Sequence, residues 1–405
     1  MGKRLNRIYG KSTALAKTGL LVALSAVLLL PSAMGATASA RLLAVGDIHG
    51  DFDALVAILQ ESGIIDHQHH WRGGNATLVQ TGDILDRGPK DRQVMDLLMA
   101  LEKEASKSGG RVIVLLGNHE VMNLMGDLRY VAPETYFSFA DDKSEKRRQD
   151  AYQDYVKLLK RRAQTLEEPT PFTSESERQW MQAHPPGFIE FRKALEPKGK
   201  YGRWLRERPA IVQIADTIFL HGGIHPNLAS LKVTELNQRI KAEIQAFDTY
   251  TEYMVKEKLI LPFFDLNEIT SAAQAVIEQQ EDRARETDRS EPEQVTILKE
   301  FLTYGSWLSI HPDGPLWFRG FAQWSPEEGA QHLPLLLKAY GAKHFVVGHT
   351  PQLPGHIQAR FEEKIFLIDS GMLSSYYKGG RASALEIQDG KFTPLYLGEP
   401  LTPDN

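Results

Sequence analysis

Cysteine is absent from this sequence of 405 residues. The chain therefore has no disulfide, no thiolate nucleophile and no zinc site with cysteine ligands. A basic excess is absent as well, because 47 lysine and arginine residues stand against 52 aspartate and glutamate residues and leave a net charge of −5. Nucleic acid is therefore not expected as a partner.

Acidic residues are missing from the start of the chain until Asp47, and residues 18–40 carry no charge of either sign. A basic start, an apolar stretch from Gly19 to Leu30 and a small-residue run with Ala-x-Ala sites follow one another. This order predicts a signal peptide over residues 1–40, with the rest of the chain exported to the periplasm or secreted. Because the uncharged run is about long enough to cross a bilayer, the alternative is an uncleaved membrane anchor with the rest of the chain outside the cytoplasmic membrane.

Short apolar runs that lead into polar loops recur along the rest of the chain. Runs such as VIVLLG are apolar without alternation, which indicates strands covered on both faces. The polar clusters then follow the carboxyl ends of buried strands, where layered α/β proteins gather their ligand sites. We predict strands in the segments 41–50, 77–88, 111–120, 210–223, 342–350, 364–372 and 382–390.

Two long polar stretches, at about residues 124–206 and 232–303, interrupt this pattern. We interpret both as mainly helical insertions, whose charged residues form solvated helix faces. Residues 41–405 are accordingly predicted to form one domain that contains both insertions.

The polar loops contain side chains that suit divalent metals. Asp47 and His49 in GDIHG place a carboxylate and an imidazole two residues apart, a pair that is chemically suitable but arises easily by chance. Four more clusters of this kind, each after a predicted strand, make chance a poor explanation. The loops GDILDRG, GNHE, HGG and GHT contribute Asp83, Asp86, Arg87, Asn118, His119, Glu120, His221 and His349.

The ordered set of these motifs resembles that of the calcineurin-like metallophosphoesterases. The combination of GDxxDRG with GNHE is the variant found in the phosphoprotein phosphatases. The longer strings LLGNHEVMNLMGDLRYV, GPLWFRG, VVGHTPQ and IDSGM are similar to the Shewanella-like protein phosphatases. The resemblance runs from about Arg41 to Gly390. It implies an α/β fold with a layered β-sandwich core flanked by helices, the calcineurin-like metallophosphoesterase fold.

The resemblance also implies two divalent metal ions. Asp47 and His49 would bind one of them, Asp83 would bridge both, and the second would be bound by Asn118, His221 and His349. Mixed nitrogen and oxygen ligands admit manganese, iron or zinc.

The remaining motif residues are expected to act on the substrate. By the resemblance, His119 lies beside the substrate with Asp86 orienting it, and Arg87 binds phosphate together with Asn118. Arg319 in GPLWFRG is a further candidate for a phosphate ligand.

Elementary chemistry supports these roles independently. A phosphomonoester at neutral pH is doubly negative, and two cations would offset that charge and lower the pKa of a water between them. Neither a serine nor a cysteine nucleophile is then needed. A charged His119 would protonate the leaving oxygen, and arginine offers planar paired donors to phosphate oxygens.

The expected function is therefore phosphoester hydrolysis, with phosphorylated protein or peptide as the substrate. The resemblance slightly favours phosphotyrosine over phosphoserine and phosphothreonine. A nucleotide or dinucleoside polyphosphate phosphatase is the alternative, because such enzymes share GDIHG and GDxxDRG. A non-catalytic binding module tethered to a membrane is less expected, because every matched position is filled.

Several other polar or aromatic residues have structural interpretations. Glu120 is expected to position its loop, His225 and Asp369 to be structural, and the histidine-rich residues 67–70 to be solvated. Four aromatic residues are expected to pack in the core, with contact to an aromatic substrate as the alternative: Tyr130, Tyr136, Phe137 and Phe139.

Overall fold

A computed structural model describes residues 41–166, 173–287 and 292–399. The strands in these residues are β1 Leu42–Val45, β2 Thr77–Gln80, β3 Arg111–Val114, β4 Ile211–Ile214, β5 Thr217–Leu220, β6 His344–Val347, β7 Gln358–Arg360, β8 Ile365–Leu367, β9 Ser383–Gln388 and β10 Lys391–Tyr396.

The strands form two sheets of five. The first has the order β10-β9-β1-β2-β3, and the second has the order β4-β5-β6-β8-β7. In the first sheet β1, β2 and β3 are parallel, with Leu42 beside Thr77 and Thr77 beside Arg111. In the second sheet β5, β6 and β8 are parallel. The carboxyl ends of three neighbouring strands therefore meet at one edge of each sheet.

The two sheets pack face to face. Side chains of both contribute to one buried apolar cluster, which includes Ala44 and Val79 from the first sheet and Phe219, Val346 and Phe366 from the second. A second apolar cluster lies on the outer faces of the sheets, where strand residues such as Leu43 and Phe345 pack against the surrounding helices. Because both faces are covered, strands such as β1 (LLAV) and β8 (IFL) are apolar without alternation.

The helices surround this sandwich. They begin and end at α1 Phe52–Glu61, α2 Asp91–Lys107, α3 Asn118–Met125, α4 Pro133–Phe139, α5 Ser144–Leu166, α6 Ser174–Ala183, α7 Phe188–Leu195, α8 Lys200–Arg206, α9 Val233–Lys256, α10 Leu266–Thr287, α11 Glu293–Phe301, α12 Gly320–Gln323 and α13 Pro326–Tyr340. Local sequence fixes several of these boundaries. The Asp51 side chain accepts the Ala54 N–H at the start of α1, and Gly341 ends α13 in the left-handed conformation.

The predicted α/β sandwich with helical insertions is confirmed. Helices α4 to α8 lie within residues 124–206, and α9 to α11 lie within residues 232–303. One detail of the prediction was wrong, because residues 210–223 hold two antiparallel strands rather than one. Their turn contains Ala215 with a φ of 51°, a conformation that the apolar pattern does not reveal.

The predicted signal peptide or anchor, residues 1–40, lies outside the described residues. Among the helices that the structure describes, none has both the length and the apolar character required to cross a membrane.

Candidate active site

All six predicted metal ligands lie just after carboxyl ends of the parallel strands. Asp47 and His49 follow β1, Asp83 follows β2, and Asn118 is the first residue of α3 after β3. From the second sheet, His221 follows β5 and His349 follows β6. Each of the six side chains is buried. The sandwich therefore brings ligands from both sheets to one interior site.

Asp83 lies at the centre of this site. Its Oδ2 atom is 3.2 Å from His221 Nε2 and 3.8 Å from both His49 Nε2 and His119 Nε2. Two groups with metal-ligating potential result, one formed by Asp83 with His49 and His119 and the other by Asp83 with His221 and His349. A carboxylate common to both groups has the position that a bridging ligand requires.

The other ligand atoms surround this pair of groups. Asn118 Oδ1 is 2.9 Å from His221 Nε2, which is 3.0 Å from His349 Nδ1. Asp47 has one carboxylate oxygen 3.9 Å from His49 Nε2 and the other 3.9 Å from His221 Nδ1. The structure therefore places all six predicted ligands together.

Hydrogen bonds behind the imidazoles decide which nitrogen faces the site. His49 Nδ1 is 2.9 Å from the Leu85 carbonyl, and His221 Nδ1 is 3.0 Å from the Thr81 carbonyl. A carbonyl accepts only, so both Nδ1 atoms donate and both Nε2 atoms present a lone pair. His349 is reversed, because its Nε2 donates to the Trp317 carbonyl at 3.0 Å and leaves Nδ1 as the acceptor.

This donor set fits divalent cations. Around His221 Nε2, Asn118 Oδ1, His349 Nδ1 and Asp83 Oδ2 lie at 2.9, 3.0 and 3.2 Å. His221 Nε2 and His349 Nδ1 each present a lone pair and face each other with no proton to share, and a cation between them would remove that repulsion. Burial lowers the pKa of His49 to about 3 and the pKa of His349 well below its ordinary value. Both imidazoles are thus kept in the neutral form that coordinates metal.

The excess negative charge of the site also indicates bound cations. Burial and the neighbouring carboxylates of Asp369 and Asp83 raise the pKa of Asp47 well above its ordinary value. Asp369 is itself buried, and burial raises its pKa to about 6. Burying three carboxylates close together lowers the stability of the folded state unless cations compensate their charge. Asp369, which the sequence suggested was structural, therefore contributes directly to the electrostatics of the site.

The loops that carry the ligands have an unusual backbone conformation. His49, Asp83 and His349 have φ angles of 49°, 57° and 68°, and Asp86 and Arg87 have φ angles of 72° and 68°. Residues with a Cβ atom rarely adopt this left-handed region, and each such residue costs roughly 1–3 kcal/mol in an unfavourable context. Surrounding hydrogen bonds must hold these loops in place.

Glu120 supplies much of that support, as the sequence predicted. One carboxylate oxygen accepts the N–H groups of Gly117 at 2.7 Å and Asp83 at 2.8 Å. The other accepts those of Ile84 at 2.9 Å and Leu85 at 3.3 Å. A single buried side chain thereby joins the GDILDRG loop to the start of α3.

His119 forms a hydrogen-bonded chain with two other residues. Its Nδ1 atom is 2.6 Å from Asp86 Oδ2, and Asn123 donates to Asp86 Oδ1 at 2.9 Å. Burial opposes protonation of His119, but the Asp83 carboxylate and the hydrogen bond with Asp86 outweigh it and raise its pKa. The sequence motif did not identify Asn123. It lies four residues after His119 on α3, so helical spacing on NHEVMN would have indicated it.

The two predicted phosphate ligands occupy different positions. Arg87 lies at the ligand cluster, where Nη1 contacts His49 Nε2 and donates to the Tyr377 hydroxyl. Arg319 lies behind the His349 loop and donates from Nη1 to the His349 carbonyl at 2.8 Å and to Thr350 Oγ1 at 3.1 Å. The structure therefore places Arg87 directly at the site and Arg319 at its margin.

Three tyrosine rings surround Arg87. The ring centroids of Tyr130, Tyr376 and Tyr377 are 5.6, 5.3 and 5.5 Å from the guanidinium carbon. The sequence analysis expected Tyr130 to be in the core and did not single out the two other tyrosines. Tyr136 and Phe139 are buried as expected, whereas Tyr130 and Phe137 are exposed. The YY pair after IDSGM was the available signal, but its contact with Arg87 spans 290 positions of sequence.

Other histidines lie apart from the cluster. His67 and His70 are exposed, and His70 pairs with Glu104. His225 packs against Phe318 and accepts the Asn227 N–H. These positions agree with the structural interpretations given to them.

Comparison with known proteins identifies the family. Residues 40–353 match the calcineurin-like phosphoesterases. An uncharacterised protein of Schizosaccharomyces pombe is 30% identical over 351 residues, which cover 85% of this chain and 76% of that protein. Shewanella-like protein phosphatase 1 of Plasmodium berghei is 26% identical over 361 residues, which cover 88% of this chain and 74% of the relative.

More distant similarities link the chain to two kinds of phosphatase. The crystal structure of a cold-active protein-tyrosine phosphatase from a psychrophilic Shewanella species aligns with a TM-score of 0.54 and 22% identity, covering 88% of this chain and 80% of the other. A symmetrical bis(5'-nucleosyl)-tetraphosphatase of Neisseria meningitidis is 27% identical over 202 residues, half of each chain.

The predicted resemblance and fold are confirmed, and so is the prediction of a metallophosphatase. The family match spans the motifs that supply all six candidate ligands, and the two sheets bring those ligands together around Asp83. The chain therefore belongs to the calcineurin-like phosphoesterase family.

Proposed function

We propose that this protein hydrolyses phosphomonoesters on phosphorylated protein or peptide with two divalent metal ions, and that it favours phosphotyrosine over phosphoserine and phosphothreonine. The observation that carries the proposal is the convergence of unprotonated imidazole, amide and carboxylate acceptors around Asp83. When bound, the two ions supply a water nucleophile of lowered pKa and offset the charge of the phosphate.

The ligands would be divided between the ions as their positions suggest. Asp47 and His49 would hold the first ion, and Asp83 would hold both. Asn118, His221 and His349 would hold the second. The mixture of nitrogen and oxygen ligands is compatible with manganese, iron or zinc.

The chain's own residues would handle the phosphate and the leaving group. Arg87 would bind phosphate oxygens through its planar guanidinium, and Asn118 would add its amide N–H donor. His119, held protonated by Asp86, would donate its Nε2 proton to the departing ester oxygen. Arg319 would support the His349 loop through Nη1, and its Nε and Nη2 donors would serve the phosphate.

The preference for phosphotyrosine rests on similarity and on the surroundings of Arg87. A structure of similar fold carries the name protein-tyrosine phosphatase. Tyrosine side chains border the proposed phosphate site, and such side chains suit an aromatic leaving group.

Metal analysis paired with a substrate panel tests the proposal. We expect close to two equivalents of transition metal per chain, activity that a chelator abolishes and added metal restores, and higher kcat/KM on phosphotyrosine peptides than on phosphothreonine peptides. A chain that stays fully active without metal would contradict the proposal, and a preference for phosphothreonine would reverse the order of substrates.

A dinucleoside polyphosphate phosphatase is the second candidate, because a symmetrical bis(5'-nucleosyl)-tetraphosphatase is similar over half of this chain. The same panel therefore includes diadenosine tetraphosphate. Hydrolysis confined to that compound and to nucleotides would replace the first proposal with this one.

We further propose that residues 1–40 direct export, so that the catalytic domain of residues 41–405, including both insertions, acts in the periplasm or is secreted. An uncleaved anchor would instead tether it outside the cytoplasmic membrane. The absence of charge from residues 18–40 supports export. Fractionation of expressing cells and sequencing of the mature amino terminus distinguish cleavage, an anchor and cytoplasmic retention.

A further inference from the structure

Two exposed aromatic side chains lie at the proposed phosphate site. Tyr130 is 41% exposed and Tyr376 is 57% exposed. Among the described residues, few large apolar or aromatic side chains reach this exposure, and both of these tyrosines lie against the guanidinium of Arg87. We refer to Tyr130 and Tyr376 as the tyrosine rim.

Tyr130 contacts His119 directly, whereas Tyr376 is linked to His49 through Tyr377. The Tyr130 ring is 5.2 Å from the ring of His119, the proposed acid. Tyr376 packs at 4.9 Å against Tyr377, whose ring is 6.2 Å from that of His49. One tyrosine therefore stands on the side where the leaving group departs, and the other is connected to the side of the first metal.

Both rim residues are held by backbone contacts. The Arg87 N–H donates to the Tyr130 carbonyl at 2.8 Å, so a backbone hydrogen bond joins the proposed phosphate ligand to this rim residue. The N–H groups of Tyr376 and Tyr377 both donate to the Leu373 carbonyl, at 3.0 and 2.9 Å. These hydrogen bonds hold the backbone from which each rim side chain projects.

The tyrosine loop also packs closely on the strand end below it. Gly371 has a φ of 68°, and a Cβ there would come within 2.9 Å of the Tyr377 Cβ. A Cβ on Gly380 would lie 2.0 Å from the Gly371 carbonyl oxygen. The segment that carries Tyr376 and Tyr377 therefore packs closely against the IDSGM strand end.

We propose that the tyrosine rim selects phosphorylated phenols over phosphorylated aliphatic alcohols by packing against the aromatic ring next to the phosphate. The inference rests on the proposed function, because it assigns the substrate preference of the same site to Tyr130 and Tyr376. A phenyl ring is attached directly to the ester oxygen and lies beside any residue that borders the phosphate. The methyl and methylene groups of phosphothreonine and phosphoserine offer no such face. An aromatic pair contributes about 0.5–1.5 kcal/mol beyond the area that it buries, which corresponds to a discrimination of about two- to tenfold per ring.

The test compares matched phosphotyrosine and phosphothreonine peptides on Tyr130→Leu, Tyr376→Leu and Tyr376→Phe, with wild type alongside. Leucine keeps apolar bulk and removes the ring, whereas phenylalanine keeps the ring. Each leucine variant is expected to lower the ratio of kcat/KM on phosphotyrosine to kcat/KM on phosphothreonine by about two- to tenfold. Tyr376→Phe is expected to retain the wild-type ratio.

Phe137→Leu is the matched control, because Phe137 is 53% exposed and contacts neither Arg87 nor His119 in the described part of the chain. The control should leave the ratio unchanged. Equal losses on both peptides in the leucine variants would overturn the inference, since the tyrosines would then only support Arg87. A wild-type ratio in both leucine variants would also overturn it while leaving the proposed function intact. A wild-type enzyme that prefers phosphothreonine, or that hydrolyses neither peptide, would overturn both.

Discussion

Replacement of Glu120 by glutamine tests whether one buried carboxylate holds the two loops of the metal site in register. The carboxylate accepts four backbone N–H groups, two on each oxygen, and a glutamine amide has only one oxygen. In either orientation, two N–H groups lose their acceptor and face another donor.

The geometry indicates which orientation costs less. If the amide nitrogen replaces the oxygen near Ile84 and Leu85, the lost hydrogen bonds are those of 2.9 and 3.3 Å, whereas the shorter pair to Gly117 and Asp83 is kept. An unsatisfied buried donor costs about 1–3 kcal/mol, and the 3.3 Å bond lies at the weak end. We therefore expect Glu120→Gln to lower the free energy of unfolding by about 2–4 kcal/mol.

The activity should fall for the same reason. Loosening the Asp83 loop against α3 misplaces a ligand shared by both proposed metals, and displacements of this kind cost up to about a hundredfold in rate. Urea unfolding followed by circular dichroism, with and without added metal, measures the stability, and kcat/KM on an aryl phosphate measures the activity. The stabilisation gained from metal should also shrink, because ligands that fit the native state less well bind more weakly.

Glu235 provides the control, because its exposed carboxylate accepts a single N–H, that of Lys232, at the start of α9. Glu235→Gln keeps an oxygen for that bond and should stay within about 0.5 kcal/mol of the wild type. The reasoning is refuted if Glu120→Gln unfolds at the same urea concentration as Glu235→Gln and keeps its activity.

Three further substitutions separate the roles of the remaining residues. Asp83→Asn should release metal and reduce turnover to background, as metal analysis and an activity assay would show. Two bound ions together with near-normal activity would contradict the bridging role. His119→Asn should keep both metals but lose about 10²–10⁴-fold in kcat, with smaller losses on aryl phosphates whose leaving groups need no proton; a loss independent of leaving-group pKa would argue against proton donation. Gly348→Ala would place a Cβ 2.2 Å from an Asp47 oxygen and should weaken metal binding without removing a ligand, whereas Gly305→Ala, which meets nothing within 4 Å, should bind metal normally.

The sequence predicted which side chains meet around Asp83, because each candidate ligand lies within a short motif. A glycine, a metal-binding side chain and a preceding apolar run lie within ten residues of one another, and parallel strands bring such motifs to one edge. The sequence did not reveal that Tyr377 contacts Arg87, since that contact links positions 290 residues apart. It also missed the turn at Ala215, where an apolar run continues through a hairpin and only the backbone conformation marks the break.

The glycines of the motifs explain why the ligand pattern is so recognisable. A Cβ on Gly117 would lie 2.2 Å from an Asp83 oxygen, and a Cβ on Gly348 would lie equally close to an Asp47 oxygen. Both glycines therefore make room for a ligand carboxylate that belongs to a different loop. Neither has a positive φ angle, so close approach rather than backbone conformation requires glycine at these positions. The glycines of GNHE and GHT are thus required by a carboxylate from another motif, which is why these motifs are more informative together than separately.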